Sequence, residues 1–197
     1  MSMLVRNIWA VGRNYKSHAE ELGNEVPSEP LIFLKAGSCI LEADERVVLP
    51  EGVGDINYEV ELGLQFGESL RVERACLALD LTARELQGKL KSKGHPWTKA
   101  KSFKNACPIG PFFSVASLLE LEGFSFSLSK NGEVVQEGNT SRMIFSLDYM
   151  TDYVRAYYPV CAGDILLTGT PAGVGLVEKG DFLSGRGDGG YEVEWSF

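Results

Sequence analysis

The clearest alternation in the chain runs over Asn57–Phe66. Tyr58, Val60, Leu62, Leu64 and Phe66 share one face, and Glu59, Glu61, Gly63 and Gln65 share the other, which predicts a strand packed on at least its apolar side. Leu4–Val11 predicts another strand, ended by a Gly12-Arg13-Asn14 turn. Asn14 is placed to cap a short helix through Leu22, closed by Gly23. Leu31–Leu34 and Arg46–Leu49 read as short strands among proline, glycine and acidic loops. Thr82-Ala83-Arg84-Glu85 has the form of a capping box, predicting a helix to about Lys91 that Gly94-His95-Pro96 breaks. Phe124, Phe126 and Leu128 alternate with serines and pass through an Asn131-Gly132 turn into Glu133–Gln136, a hairpin. Ser146 opens a helix with Tyr149, Tyr153 and Tyr157 four apart, stopped by Pro159. Asp164–Thr168 is a strand feeding the loop Gly169–Gly175, and Tyr191–Phe197 alternates to the end. Many short strands, few helices and no regular strand–helix rhythm argue for a β-rich α+β fold over a doubly wound parallel sheet.

Composition supports one core. The 197 residues are 44% hydrophobic and 23% charged, which fits a single domain over residues 1–197 and excludes disorder. Nineteen basic against 27 acidic residues give a net charge of −8, so the field that draws proteins to nucleic acid or anionic membranes is missing. Cys39, Cys76, Cys107 and Cys161 form no C-x-x-C pair, which points away from a zinc site or disulfide framework. With only His18 and His95, a histidine-rich metal centre is excluded. No apolar stretch is long enough to cross a bilayer, and Arg6 and Asn7 fall where a secretory signal needs its apolar block. A cytoplasmic location is expected.

Candidate chemistry begins with Glu59 and Glu61. Two positions apart on a strand, they project from one face roughly 6–7 Å apart at the backbone. Solvent on that face explains the pair, and so does a cation between the two carboxylates. Asp80, beside the Thr82 cap, suits a helix entry through the helix dipole. With Glu59 and Glu61 it also completes an all-oxygen set suited to Mg2+ or Mn2+. His18 and Glu21, three apart on the first helix, form either a surface ion pair or a dyad in which the carboxylate orients the imidazole and raises its basicity. Lys99, Lys101 and Lys104 read as a solvated face. The loop Gly169–Gly175 lacks the G-K-[ST] ending of a phosphate loop.

A series of motifs in order along nearly the whole chain resembles the fumarylacetoacetate hydrolase family, in its short acylpyruvase and oxaloacetate decarboxylase branch. These are Val11-Gly-Arg-Asn-Tyr15 with His18 and Glu21, Pro30-Leu-Ile-Phe-Leu-Lys35, Tyr58-Glu-Val-Glu-Leu62, and Ala78-Leu-Asp-Leu-Thr-Ala-Arg84 with Gln87. Pro96-Trp-Thr-Lys-Ala-Lys-Ser-Phe103, Met143-Ile-Phe-Ser146, Gly163-Asp164, Leu167-Thr-Gly-Thr-Pro171 and Gly173-Val-Gly175 follow. The passage from Gly67 to Asp80 departs from the family, being shorter than the helix-containing passage of relatives.

The resemblance implies a mixed β-roll, a homodimer, and Glu59, Glu61 and Asp80 as ligands of Mg2+ or Mn2+. It implies Lys101 at the substrate oxygens and His18 with Glu21 as a water-activating dyad, carried on a segment that acts as a lid. Arg13, Tyr15, Arg84, Gln87 and Thr170 would line the substrate pocket. The implied reaction is hydrolysis of the carbon–carbon bond of acylpyruvates, which are 2,4-diketo acids, with oxaloacetate decarboxylation at the same site. The alternatives are an isomerase of the 2-hydroxyhepta-2,4-diene-1,7-dioate type, and a metal-binding domain without turnover. The partner expected is a small 2-oxo acid, with neither nucleic acid nor membrane.

Overall fold

The computed structural model describes residues 4–21, 23, 27–43 and 45–197, without the side chains of residues 19 and 20. Three sheets carry the fold. In the largest, Leu31–Ala36, Asn7–Gly12, Ile165–Leu167, Val60–Phe66, Val72–Leu79, Cys107–Ile109 and Ile40–Glu42 lie side by side in that order, and Phe113–Ser114 pairs with Val72–Leu79 off the path. Two of its pairings are parallel, Asn7–Gly12 with Ile165–Leu167 and Ile40–Glu42 with Cys107–Ile109, so the sheet is mixed. A second, antiparallel sheet orders Glu133–Asn139, Ser125–Lys130, Phe182–Gly187 and Tyr191–Ser196. The third joins Gly175–Leu176, Ile56–Tyr58 and Thr82–Ala83. The α-helices are short: α1 Lys16–Glu21, α2 Arg84–Ser92, α3 Thr98–Lys101 and α4 Leu147–Tyr157. The fold is β-rich α+β, as the pattern predicts. No helix among the described residues is long and apolar enough to cross a membrane.

The central strand is buried along both faces, since every residue of Val60–Phe66 is shielded from solvent. The long alternating run is broken at Glu59, whose carbonyl accepts from the Asp80 amide at 2.8 Å. From there one register pairs Val60 with Leu79 and Gly63 with Cys76, and a tight turn at Gly67–Arg71 closes the hairpin. The passage between Gly67 and Asp80 consists of this turn and the second strand, which runs straight to Asp80. The second sheet packs on the first where glycine leaves room: a Cβ on Gly185 would meet Val193 at 2.9 Å and Leu77 at 3.3 Å.

Several local expectations are corrected. The first strand spans Asn7–Gly12, not Leu4–Val11. Asn14 does not cap α1. It is fully buried and bonds segments far away in sequence, donating from Nδ2 to the carbonyls of Thr168 (2.8 Å) and Phe145 (3.2 Å) and accepting from the Phe145 amide at 2.8 Å. Leu22 lies outside the described residues, while Gly23 has the positive φ of 62° expected at a helix end. Arg46–Leu49 is not a strand, although the Val47 amide reaches the Ser196 carbonyl. Thr82 does not cap α2. It sits in a strand, and the helix begins two residues later, at Arg84. The Ser146 cap is as predicted, with Oγ accepting from the Tyr149 amide at 3.2 Å. The tyrosines of α4 turn outward, ring upon ring, while Leu147, Met150, Thr151 and Val154 face the core.

Candidate active site

Glu59, Glu61 and Asp80 meet at one end of the Val60–Phe66 and Val72–Leu79 hairpin. Each offers a carboxylate oxygen, these oxygens lie within 4.8 Å of one another, and all three residues are buried. Glu59 and Glu61 therefore look into a cleft, not into solvent. Arg13, His18, Arg84, Gln87, Lys101 and Thr170 line the cleft with the three acids.

Three cations balance the acids. Lys101 Nζ donates to Glu59 Oε2 at 2.9 Å, to Thr82 Oγ1 at 2.6 Å and to Asp80 Oδ2. Lys35 Nζ donates to Asp80 Oδ1 at 2.6 Å and to the Leu81 carbonyl at 3.2 Å. Arg84 contacts Glu59 through Nη2 and donates from Nη1 to Gln87 Oε1 at 3.0 Å, while its buried Nε has no partner among the described residues. Burial would lift the Asp80 carboxyl, but Lys101 and Lys35 outweigh it and hold it below the ordinary range. Glu61 goes the other way. Burial, then the Asp80 charge, push it up to about 8, even though the Gly169 amide donates to its Oε2 at 2.6 Å.

A buried carboxylate held against its charge, within a compact donor set of oxygens alone, fits a hard divalent cation. Such an ion would relieve the repulsion that raises Glu61. Glu59, Glu61 and Asp80 are the residues that would hold it.

His18 is buried at the cleft wall, with Nδ1 3.4 Å from Glu21 Oε2. Glu21 accepts in turn from the Gly173 amide at 3.1 Å. The expected rise in basicity is overturned. Burial lowers the His18 pKa to about 4, outweighing the Glu21 contact, and Arg84 and Lys101 add to the lowering. The imidazole is thus neutral at pH 7 and available as a base. The glycine loop has a use the sequence did not suggest, because its Gly169 and Gly173 amides anchor Glu61 and Glu21. Both glycines have a positive φ, 99° and 97°, and a Cβ on Gly173 would lie 1.9 Å from the Val135 carbonyl oxygen.

Tyr15 does not line the cleft. It is buried in the core, where its hydroxyl has no partner among the described residues and burial pushes its pKa up. Thr170 does line it, with Oγ1 donating to the Val60 carbonyl and accepting from Gln136 Nε2, each at 2.9 Å. Of the three lysines read as a solvated face, Lys99 and Lys104 are exposed and Lys101 is not. Sequence reasoning missed Lys35. The signal was its alternation with Leu31 and Phe33, which line the cleft from the same strand face.

Comparisons with known proteins identify the family. Residues 7–194 match the family described as fumarylacetoacetate (FAA) hydrolase C-terminal. An oxaloacetate tautomerase of Escherichia coli strain K12 is 38% identical over 196 residues, covering 94% of this chain and 90% of that protein. A mitochondrial oxaloacetate decarboxylase of Dictyostelium discoideum is 40% identical over 189 residues, covering 90% and 87%. Among solved structures, the fumarylpyruvate hydrolase of Pseudomonas aeruginosa in complex with Mn2+ and pyruvate has a TM-score of 0.89 at 31% identity, covering 98% of this chain and 89% of that one. A family match over nearly the full length, relatives of this identity and a common fold have one reading: the chain belongs to the fumarylacetoacetate hydrolase family.

Proposed function

We propose that this chain is a divalent-metal-dependent enzyme of small 2-oxo acids, which moves a proton at C3 and so interconverts the keto and enol forms of oxaloacetate. The observation that carries the reading is the neutral, buried His18 in the same cleft as three converging carboxylates. The oxaloacetate-named relatives over nine tenths of the chain support the choice of substrate.

Mg2+ or Mn2+ held by Glu59, Glu61 and Asp80 would supply Lewis-acid polarisation of the 2-oxo group. The chain's own residues do the rest. Arg84, steadied by Gln87 and with Nε still free, binds the neighbouring carboxylate, and Lys101 adds positive charge beside it. Glu21 holds His18 through Nδ1 and leaves Nε2 to take the C3 proton. The C–H electron pair becomes the C2–C3 double bond, and His18 returns the proton to the 2-oxo oxygen.

The fumarylpyruvate hydrolase likeness favours a second reading at the same site, cleavage of an acylpyruvate. There His18 takes a proton from water, and the water oxygen adds to the distal carbonyl. The bond from C3 to that carbonyl breaks with its electron pair left on C3, which the proton then quenches, giving pyruvate and a carboxylic acid.

Oxaloacetate enol absorbance and acylpyruvate absorbance, followed with chelator and then with Mg2+ or Mn2+, test the proposal. Metal-dependent turnover is expected, with a loss of about a hundredfold or more in His18→Ala and loss of cation binding in Glu59→Gln. Absence of any metal-dependent reaction would sink it in favour of a metal-binding domain without turnover.

A further inference from the structure

Helix α2 delivers Arg84, Gln87 and Lys91 to the cleft, positions three and four apart on one helical face. Arg84 and Gln87 serve the inner end. Lys91 stands two turns further out, about 10 Å along the helix axis from Arg84. Its ammonium lies over the Trp97 ring, 4.8 Å from the centroid, and no carboxylate among the described residues pairs with it. Burial, then the like charges of Arg13, Arg84 and Lys101, push its pKa down to about 8.

Arg13 is a second cation of the cleft without an acid partner among the described residues, and its backbone is held at a φ of 59°. Charge counting sharpens the point. Lys35, Arg84 and Lys101 pair with Asp80 and Glu59, and the three cations equal in number the three acids Glu59, Glu61 and Asp80. A dication together with Arg13 and Lys91 adds four positive charges, of which Glu21 beside His18 answers one, and the remainder is more than one substrate carboxylate balances. Phe33 and Trp97, in ring contact at 5.7 Å, add an apolar wall suited to intervening carbons.

From this geometry we infer that Lys91 forms a second anion subsite, which takes the distal carboxylate of a 2-oxo dicarboxylic acid whose 2-oxo end sits at the inner carboxylates. The inference rests on the reading of the cleft as a 2-oxo acid site and adds the residue that selects among such acids. A half-buried ammonium among like charges gains most from an anion that arrives with the substrate.

Two stable acids of equal chain length isolate the effect: 2-oxoadipate, with a distal carboxylate, and 2-oxohexanoate, without one. Their binding to the Mn2+-loaded protein is measured by calorimetry for the wild type, Lys91→Met, Lys91→Gln and Lys91→Arg. The wild type is expected to prefer 2-oxoadipate by about tenfold. Both neutral variants should lose that preference with 2-oxohexanoate binding unchanged, and Lys91→Arg should keep it. A wild type without preference, or neutral variants that retain it, overturns the subsite while leaving the 2-oxo acid reading standing. Binding of neither acid removes both.

Discussion

Lys35 and His18 are polar residues whose surroundings decide their chemistry. An ammonium that is fully shielded is costly unless its donors are satisfied, and Lys35 meets that condition through Asp80 and the Leu81 carbonyl. The contact of His18 with Glu21 is long, so burial wins and the proton is held weakly. Above pH 6.5 the imidazole is neutral in both the folded and the unfolded chain. As pH falls from 6.5 to 4 the unfolded chain binds a proton that the folded chain refuses, so folding stability declines with acid. The expected loss is about 3 kcal/mol. Urea denaturation of the wild type and His18→Ala across that range measures it. The wild type should fall relative to the variant, and parallel curves would contradict the assignment. The pairing of His18 with Glu21 was legible from their spacing; the direction of the shift was not, because burial is a property of the packed chain.

At the scale of elements, local signals and tertiary demands can be compared at Ser146 and Asn14. Ser146 caps the helix that follows it, as its sequence position indicates. Asn14 looks equally suited to a cap, yet its side chain is drawn inward to join the first strand, the start of the Ser146 helix and the end of the Ile165–Leu167 strand. Asn14→Ala would take this partner from the buried Thr168 carbonyl and from the half-buried carbonyl and amide of Phe145. It should cost about 3 kcal/mol or more, well above the ~1 kcal/mol of a lost cap in Ser146→Ala. Midpoints of urea unfolding for the two variants decide the order. Strands with poor alternation, such as Phe182–Gly187, were invisible beforehand because glycines replace side chains where the two sheets approach.

Across the whole molecule, the β-rich class followed from the many short alternating runs, and the site from residues scattered over most of the chain. What brings them together is one hairpin and one loop: the hairpin aligns Glu59 and Glu61 with Asp80, and the glycine loop ties Glu61 and Glu21 to the same wall. A cation bound only by the folded chain should stabilise all of it together. Mn2+ at a hundred times its dissociation constant should add about 2.7 kcal/mol. Scanning calorimetry should show a raised Tm in the wild type and little change in Glu61→Gln. An equal rise in both would remove Glu61 from the ligand set.

By itself the sequence determined the fold class, the two carboxylates on one strand face, the hairpin at Asn131-Gly132, the Ser146 cap and the family motifs, because each of these is written in near neighbours. Only the tertiary structure decided that the acidic strand face looks into a cleft, that Lys35 and Lys101 are buried against it, that Tyr15 stays out of it, and that two glycine amides hold its carboxylates. The physical reason is that burial and electrostatic balance are set by residues far apart in the chain, and no local pattern records which of them will meet.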